Sequence, residues 1–164
     1  MKKLILLAFV TISATSFAQT VVKNGTIYKE HPYITKVNAM MAAANKNDTI
    51  AMFVPYADTV KFYDSPSPTK VYNLTQSKSN WRTVQAEWEQ ISIKPRGYPD
   101  GLEYAGKDES FTVQSWWTIT AINKKTKKKA MFEEVIFDSF NKDGKITLEL
   151  AYYDMSSLAE AMKP

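Results

Sequence analysis

The sequence predicts an α+β domain, with helices in its N-terminal half and a strand meander in its C-terminal half. Three observations carry this. Phe111 to Asp154 reads as three consecutive antiparallel strands with period-two patterning. Their connections are a Lys-rich tip, Asn123 to Lys129, and an Asn141-Lys-Asp-Gly144 turn, where glycine supplies the positive φ of a tight hairpin. Upstream, Thr75 to Ile91 is the longest amphipathic helix, with Trp81, Val84, Gln85 and Trp88 on one stripe.

The chain opens with Lys2-Lys3, an apolar run from Leu4 to Val10, and Ser16-Phe-Ala18 before Gln19. That is the layout of a secretory signal peptide, so residues 1–18 are expected to be removed and the protein exported to a periplasm or the extracellular space. The apolar run is well short of the ~20 residues a spanning helix needs. No other segment is long and apolar enough, so no membrane association is expected after cleavage. The absence of Cys excludes disulfides and lipid attachment at a cleavage-site Cys. The remaining chain, about 145 residues, suits one domain with an adequate core. Loss of Lys2 and Lys3 takes the 21 basic residues to 19 against 17 acidic ones, a net charge of +2. Five lysines between Lys124 and Lys129 read as a solvated hairpin tip that guards a sheet end. No Arg-rich helix or aromatic-basic interleaving accompanies them, so no nucleic-acid partner is expected.

Gln19 to Glu30 is an extended lead-in. His31-Pro32 opens a helix, because proline is favoured at the first helical position, and Val37, Met40, Met41 and Ala44 follow at helical spacing. Asn45-Lys-Asn-Asp48 breaks that pattern; Asp48 caps a short second helix through Phe53, and Pro55 ends it. Ala57 to Tyr63 is a strand, followed by the Asp64-Ser-Pro-Ser-Pro68 loop. Pro95 to Gly106 is a loop with room for a short strand, and Met155 to Met162 forms a closing helix capped by Asp154 or Ser156. With no repeat or second domain visible, residues 31–164 form the folded unit.

The order helix, helix, strand, long helix, meander resembles the nuclear transport factor 2-like superfamily, which includes ketosteroid isomerase and the SnoaL-like polyketide cyclases. The residues that carry the resemblance are Asn45-Lys-Asn-Asp48, Tyr56-Ala-Asp58, Phe140 to Ile146, and Tyr152-Tyr-Asp154. It implies a curved antiparallel sheet wrapped around the N-terminal helices, a cone-shaped half-barrel with a deep, mostly apolar pocket. It also implies a homodimer through the convex sheet face.

Ketosteroid isomerases use an Asp base on the first strand, with a Tyr and a second Asp donating hydrogen bonds to the oxyanion. Registration on the quoted motifs puts Met40, Phe62 and Ile136 at these positions. None can transfer a proton. The His and Asp of the SnoaL-like cyclases fall at Phe137 and Ala151. Neither chemistry is therefore expected. The pocket set that the resemblance implies is Met40, Phe62, Ile136, Ala151 and Tyr153. Trp116 is preferred over Trp117 as the inward tryptophan, and Trp81 is either core or a ligand platform.

Two face assignments compete on the last strands. The family registration turns Glu134, Ile136, Asp138, Glu149, Ala151 and Tyr153 inward, leaving Val135, Phe137, Ile146, Leu148, Leu150 and Tyr152 on the convex side. Hydrophobicity alone reverses this. Under the family register Glu134, Asp138 and Glu149 share a cavity in which burial and mutual repulsion raise a carboxyl pKa, the condition for a general acid or base. Otherwise they meet water and pair with lysines. Asp64, two residues from Phe62, is either a displaced base or the start of an Asx turn.

One His and no Cys leave no zinc site and no Ser-His-Asp or Cys-His nucleophile. No glycine-rich phosphate loop is present, and Asn141 to Gly144 is too short for a calcium loop. No metal or cofactor is therefore expected. Two functions fit: an exported domain that binds a small apolar or amphipathic molecule or a partner protein, and a cofactor-independent isomerase, cyclase or hydratase working through pocket carboxylates.

Overall fold

The structure, a computed structural model, describes residues 24–64, 69–105 and 111–164. The expected signal peptide, residues 1–18, and the Ser65 to Pro68 part of the loop lie outside the described residues. Strand β1 (Gly25–Tyr28) leads into helix α1 (Pro32–Asn45). His31 is the N-cap, its Nδ1 accepting from the Tyr33 N–H at 3.2 Å, and Pro32 occupies the first turn. The helix buries Ile34, Val37, Met40, Met41 and Ala44 along one stripe. Asn47 adopts a left-handed φ of 58° at the break, and Asp48 caps α2 (Thr49–Phe53) by accepting from the Ala51 N–H at 3.0 Å.

Strands β2 (Tyr56–Asp64) and β3 (Val71–Tyr72) precede helix α3 (Leu74–Glu87). That helix starts in a capping box in which Asn73 and Gln76 exchange side-chain to backbone bonds, each 2.9 Å. It stops four residues before the end that the apolar stripe predicts. From Trp88 the chain is β4 (Trp88–Pro95), paired with β6 (Phe111–Asn123). Ile91 and Ile93 are β-branched, and the Asn45 side chain receives the strand directly. Its Oδ1 accepts from Ile93 N–H at 2.7 Å, and its Nδ2 donates to Ile93 C=O at 2.5 Å. Gln90, at φ 52°, lies where the β4–β6 register shifts.

Strand β5 (Asp100–Tyr104) lies within the expected loop and pairs with β1 and β6. Strands β7 (Lys129–Phe140) and β8 (Ile146–Tyr153) complete the meander, and α4 (Ser156–Met162) closes the chain. The N-cap of α4 is Met155; Asp154 instead accepts from the backbone and hydroxyl of Ser156 just outside it.

The strand order is β1-β5-β6-β7-β8-β2-β3, with β4 also paired to β6. The sheet is large, open and curved, but it is mixed and not wholly antiparallel. β2 runs parallel to β8, a pairing that no hairpin constrains, whereas the other described pairings are antiparallel. Helix α1 packs on β4, β5 and β6, α3 packs on β2, β3 and β4, and α4 packs on β7 and β6. The main core, including Val37, Met40, Val60, Phe62, Val113, Trp117, Ile136 and Ile146, lies between helices and concave sheet face.

Two side chains face the opposite way from the expected one. Trp117, not Trp116, faces inward: it is 4% exposed, pairs with Glu134, and donates its indole N–H to Ser115 Oγ at 2.9 Å. Trp116 pairs with Val135 on the convex side. Strand alternation forces this choice once Glu134 and Ile136 face in. Ile146 is also inward and wholly buried. A bulge causes it: Ile146 pairs with Phe140 while Leu148 pairs with Ser139, so the extra residue Thr147 changes the phase of the strand. Downstream of that bulge Leu148, Leu150 and Tyr152 share the opposite face from Glu149, Ala151 and Tyr153.

Candidate functional site

The curvature of the sheet leaves a cavity of about 660 Å³ between its concave face and helices α1 and α3. Met40, Met41 and Ala44 of α1 form one wall, and Trp81 and Val84 of α3 form another. Strands β2, β7 and β8 contribute Tyr56, Phe62, Asp64, Glu134, Ile136, Glu149 and Tyr153. Of the pocket residues named from sequence, Met40, Phe62, Trp81, Ile136 and Tyr153 line the cavity. Ala151 is on the same face but buried in the core behind the lining, and Trp116 is excluded by facing the other way.

The acidic candidates come together. Asp138 and Glu149 are directly opposed across β7 and β8, and Glu134 opposes Tyr153 on the same face. Phe62 and Asp64 of β2 pair with Glu149 and Ala151. Two carboxylates directly opposed in an antiparallel pair repel each other. Protonation of one resolves this.

The surroundings favour protonation. Burial first, then the charge and hydrogen bond of Glu149, hold Asp138 well above the usual carboxylate range. Burial, reinforced by Glu149 and Asp64, pushes Glu134 up to about 8. Glu149 reaches about 7, because burial outweighs the hydrogen bonds from Tyr56 and Asp138 that stabilise its charged form. Burial also raises Asp64. The Tyr56 hydroxyl donates to the Glu149 carboxylate, and burial beside three carboxyls keeps that phenol protonated far above 10.0.

Asp138 is wholly enclosed, and among the described residues neither of its oxygens receives an N–H or O–H. As a carboxylate it would bear the full desolvation penalty. As a neutral acid it donates its own proton to Glu149, its cross-strand partner. The chain Tyr56–Glu149–Asp138 is therefore satisfied with a proton between the two acids, and Glu149 stands at the cavity wall with an ionisation near neutrality.

Tyr56 lines the cavity but is not among the pocket residues expected from the sequence. Its partner is 93 positions away on a parallel neighbour strand, a pairing that period-two patterning does not specify. No Lys, Arg or His appears among the described residues that line the cavity, and among the described residues no group of acids is arranged to hold a metal ion.

No family model matches the sequence, and no curated protein matches it significantly. Solved structures do match. A nuclear transport factor 2-like protein from Burkholderia thailandensis aligns over 82% of this chain and 100% of its own, with a TM-score of 0.64 at 19% identity. A Catenulispora acidiphila protein with a ketosteroid isomerase-like fold aligns over 82% and 96%, with a TM-score of 0.62 at 18% identity. A putative polyketide cyclase from Xanthomonas campestris aligns over 83% and 100%, with a TM-score of 0.61 at 15% identity. At such identities the likeness is one of fold. The chain has the nuclear transport factor 2-like fold.

Proposed function

We propose that this chain is an exported small-molecule-binding domain whose cavity takes an apolar or amphipathic ligand. The observation that carries the reading is the 660 Å³ cavity itself, whose apolar wall of Met40, Met41, Phe62 and Trp81 is interrupted by a few convergent polar groups. Among proteins of this fold, the Catenulispora acidiphila structure is a complex with a small molecule, trimethylamine. A substitution tests the pocket. Glu149→Leu removes a charge whose desolvation opposes neutral ligands, so it is expected to tighten binding of an apolar fluorescent probe by about tenfold. Unchanged probe affinity and unchanged tryptophan fluorescence would place the ligand elsewhere.

A second reading is favoured by the values of about 7 for Glu149 and about 8 for Glu134. Carboxyls poised near neutrality suit a cofactor-independent isomerase, cyclase or hydratase, with Glu149 as base and Glu134 as acid. The same Glu149→Leu change abolishes proton transfer while retaining the pocket, so it separates the two readings.

We likewise propose that the chain is exported and forms a homodimer. The convex face carries Trp116, Val135, Phe137, Leu148, Leu150 and Tyr152, a continuous apolar surface that a second copy would cover. Leu148→Lys with Leu150→Lys is expected to give a soluble monomer by light scattering, whereas the unchanged chain gives a dimer. A monomeric unchanged chain would refute this. Export with cleavage between Ala18 and Gln19 rests on the small-x-small site. Intact mass of the secreted protein is expected to begin at Gln19; Met1 retained in a membrane fraction would contradict it.

A further inference from the structure

Resting on the reading of this cavity as a ligand pocket, we infer that its ligand is an amphipathic organic cation, an ammonium head among the cavity acids with an apolar tail in the adjoining groove. The charge pattern is one-sided. Asp64, Glu134 and Glu149 line the cavity, Asp138 stands behind Glu149, and no basic side chain appears among the described lining residues. Asp138 is wholly buried on the concave face, and among the described residues its two oxygens lack any N–H or O–H partner. Such a group is retained at a cost unless something compensates it. In the free protein a shared proton does so. A cationic head beside Glu149 replaces that proton's charge and lets the acids ionise.

The aromatic lining fits the same head. Tyr56, Phe62, Tyr72, Trp81 and Tyr153 surround the acids, and aromatic faces attract ammonium groups, quaternary ones included. An anion meets only like charge here. A neutral ligand gains nothing from ionisation of the acids.

The tail has its own place. A second hollow, about 380 Å³, shares lining residues with the cavity, Trp81, Val84, Glu134, Tyr153 and Met155 among them, and so adjoins it. It runs on past Phe132, Leu158 and Met162 and is lined almost wholly by apolar side chains. Glu134 and Tyr153 stand at the junction, so a molecule spanning both spaces puts its charge at the acid end and its chain along helices α3 and α4. A compact metal ion would leave this groove empty.

The test compares three probes with eight-carbon chains on the mature protein: octyltrimethylammonium, 1-octanol and octanoate, by calorimetry and tryptophan fluorescence. The ammonium carries a permanent charge, so its own ionisation does not change with pH. It is expected to bind at least about tenfold more tightly than 1-octanol at pH ~8.5, with octanoate weakest. Between pH ~6 and ~8.5 its affinity is expected to rise about tenfold as the cavity acids ionise, while that of 1-octanol does not rise. In a Glu134→Gln, Glu149→Gln variant both the preference and the pH dependence vanish. The pH series on the unchanged chain decides the matter even where this variant does not fold. Binding of 1-octanol or octanoate as tight as that of the ammonium overturns the ligand class and leaves the pocket standing. Failure of all three probes overturns both.

Discussion

Trp117→Ala is expected to destabilise the fold by about 3–5 kcal/mol, measured as a shift in the urea unfolding midpoint. Trp117 is 4% exposed within the main core and holds the wholly buried Ser115 hydroxyl through its indole N–H. Its removal leaves a large cavity and strands that hydroxyl without its partner. Domains of this size are stable by only ~5–15 kcal/mol, so the variant sits near the threshold of folding. Trp116→Ala, on the convex side, is expected to cost under about 1.5 kcal/mol in the monomer. A larger loss at Trp116 than at Trp117 would reverse the assignment of faces on β6 and, through the β6–β7 pairing, on β7 as well.

The second large effect is on pH. Glu134 has an ordinary value of 4.5 when unfolded and about 8 in the fold, so across that window the folded chain binds more protons than the unfolded one. Its stabilising contribution is therefore complete below about 4.5 and lost as pH rises through about 8. Glu149, Asp138 and Asp64 are raised in the same direction and add to the slope. Tyr56, and Tyr153, which burial also raises, stay protonated throughout. Among the described residues Asp154, lowered by its bonds to Ser156, acts in the opposite sense, and it loses its contribution at the acid end.

The net expectation is that the protein is most stable near pH ~5 and loses roughly 3 kcal/mol by pH ~8.5, discounted for the open side of the cavity. Unfolding midpoints at a series of pH values measure it. Glu134→Gln with Glu149→Gln flattens the curve. A stability that rises with pH would mean that these carboxyls are ionised and solvated in the fold.

Much of the architecture is legible in the sequence, because its signals are local. His31-Pro32 and Asp48 mark helix starts through groups within three residues of them, and the 3.6-residue stripe of α1 names its buried face. The Asn141 to Gly144 turn is written in its own residues. Asn141 Oδ1 accepts from Asp143 and Lys145 backbone N–H groups, and Gly144 takes a φ of 68°. What fails to read out depends on partners distant in the chain. Helix α3 ends at Glu87 because Asn45 and β6 take the next residues as a strand, while the stripe continues through Trp88.

The face of Ile146 depends on a bulge opposite Ser139 and Phe140, which alternation counted from Leu148 does not reveal. The grouping of Glu134, Asp138 and Glu149 can be read from alternation on β7 and β8 once one face is fixed. Their junction with Tyr56 and Asp64 requires the parallel β2–β8 contact. Local patterning is silent on that contact, so the site is half legible from sequence.

Burial in the cavity raises Glu149 and Glu134 toward neutrality. Carbon-13 NMR of selectively labelled Glu and Asp side chains, titrated from pH ~3 to ~10 in the free protein, tests it most directly. Glu149 and Glu134 are expected to titrate near 7 and 8, with Asp138 remaining protonated at neutral pH. Ordinary carboxylate titration of Glu134, Asp138 and Glu149, all complete below pH ~5.5, would contradict it.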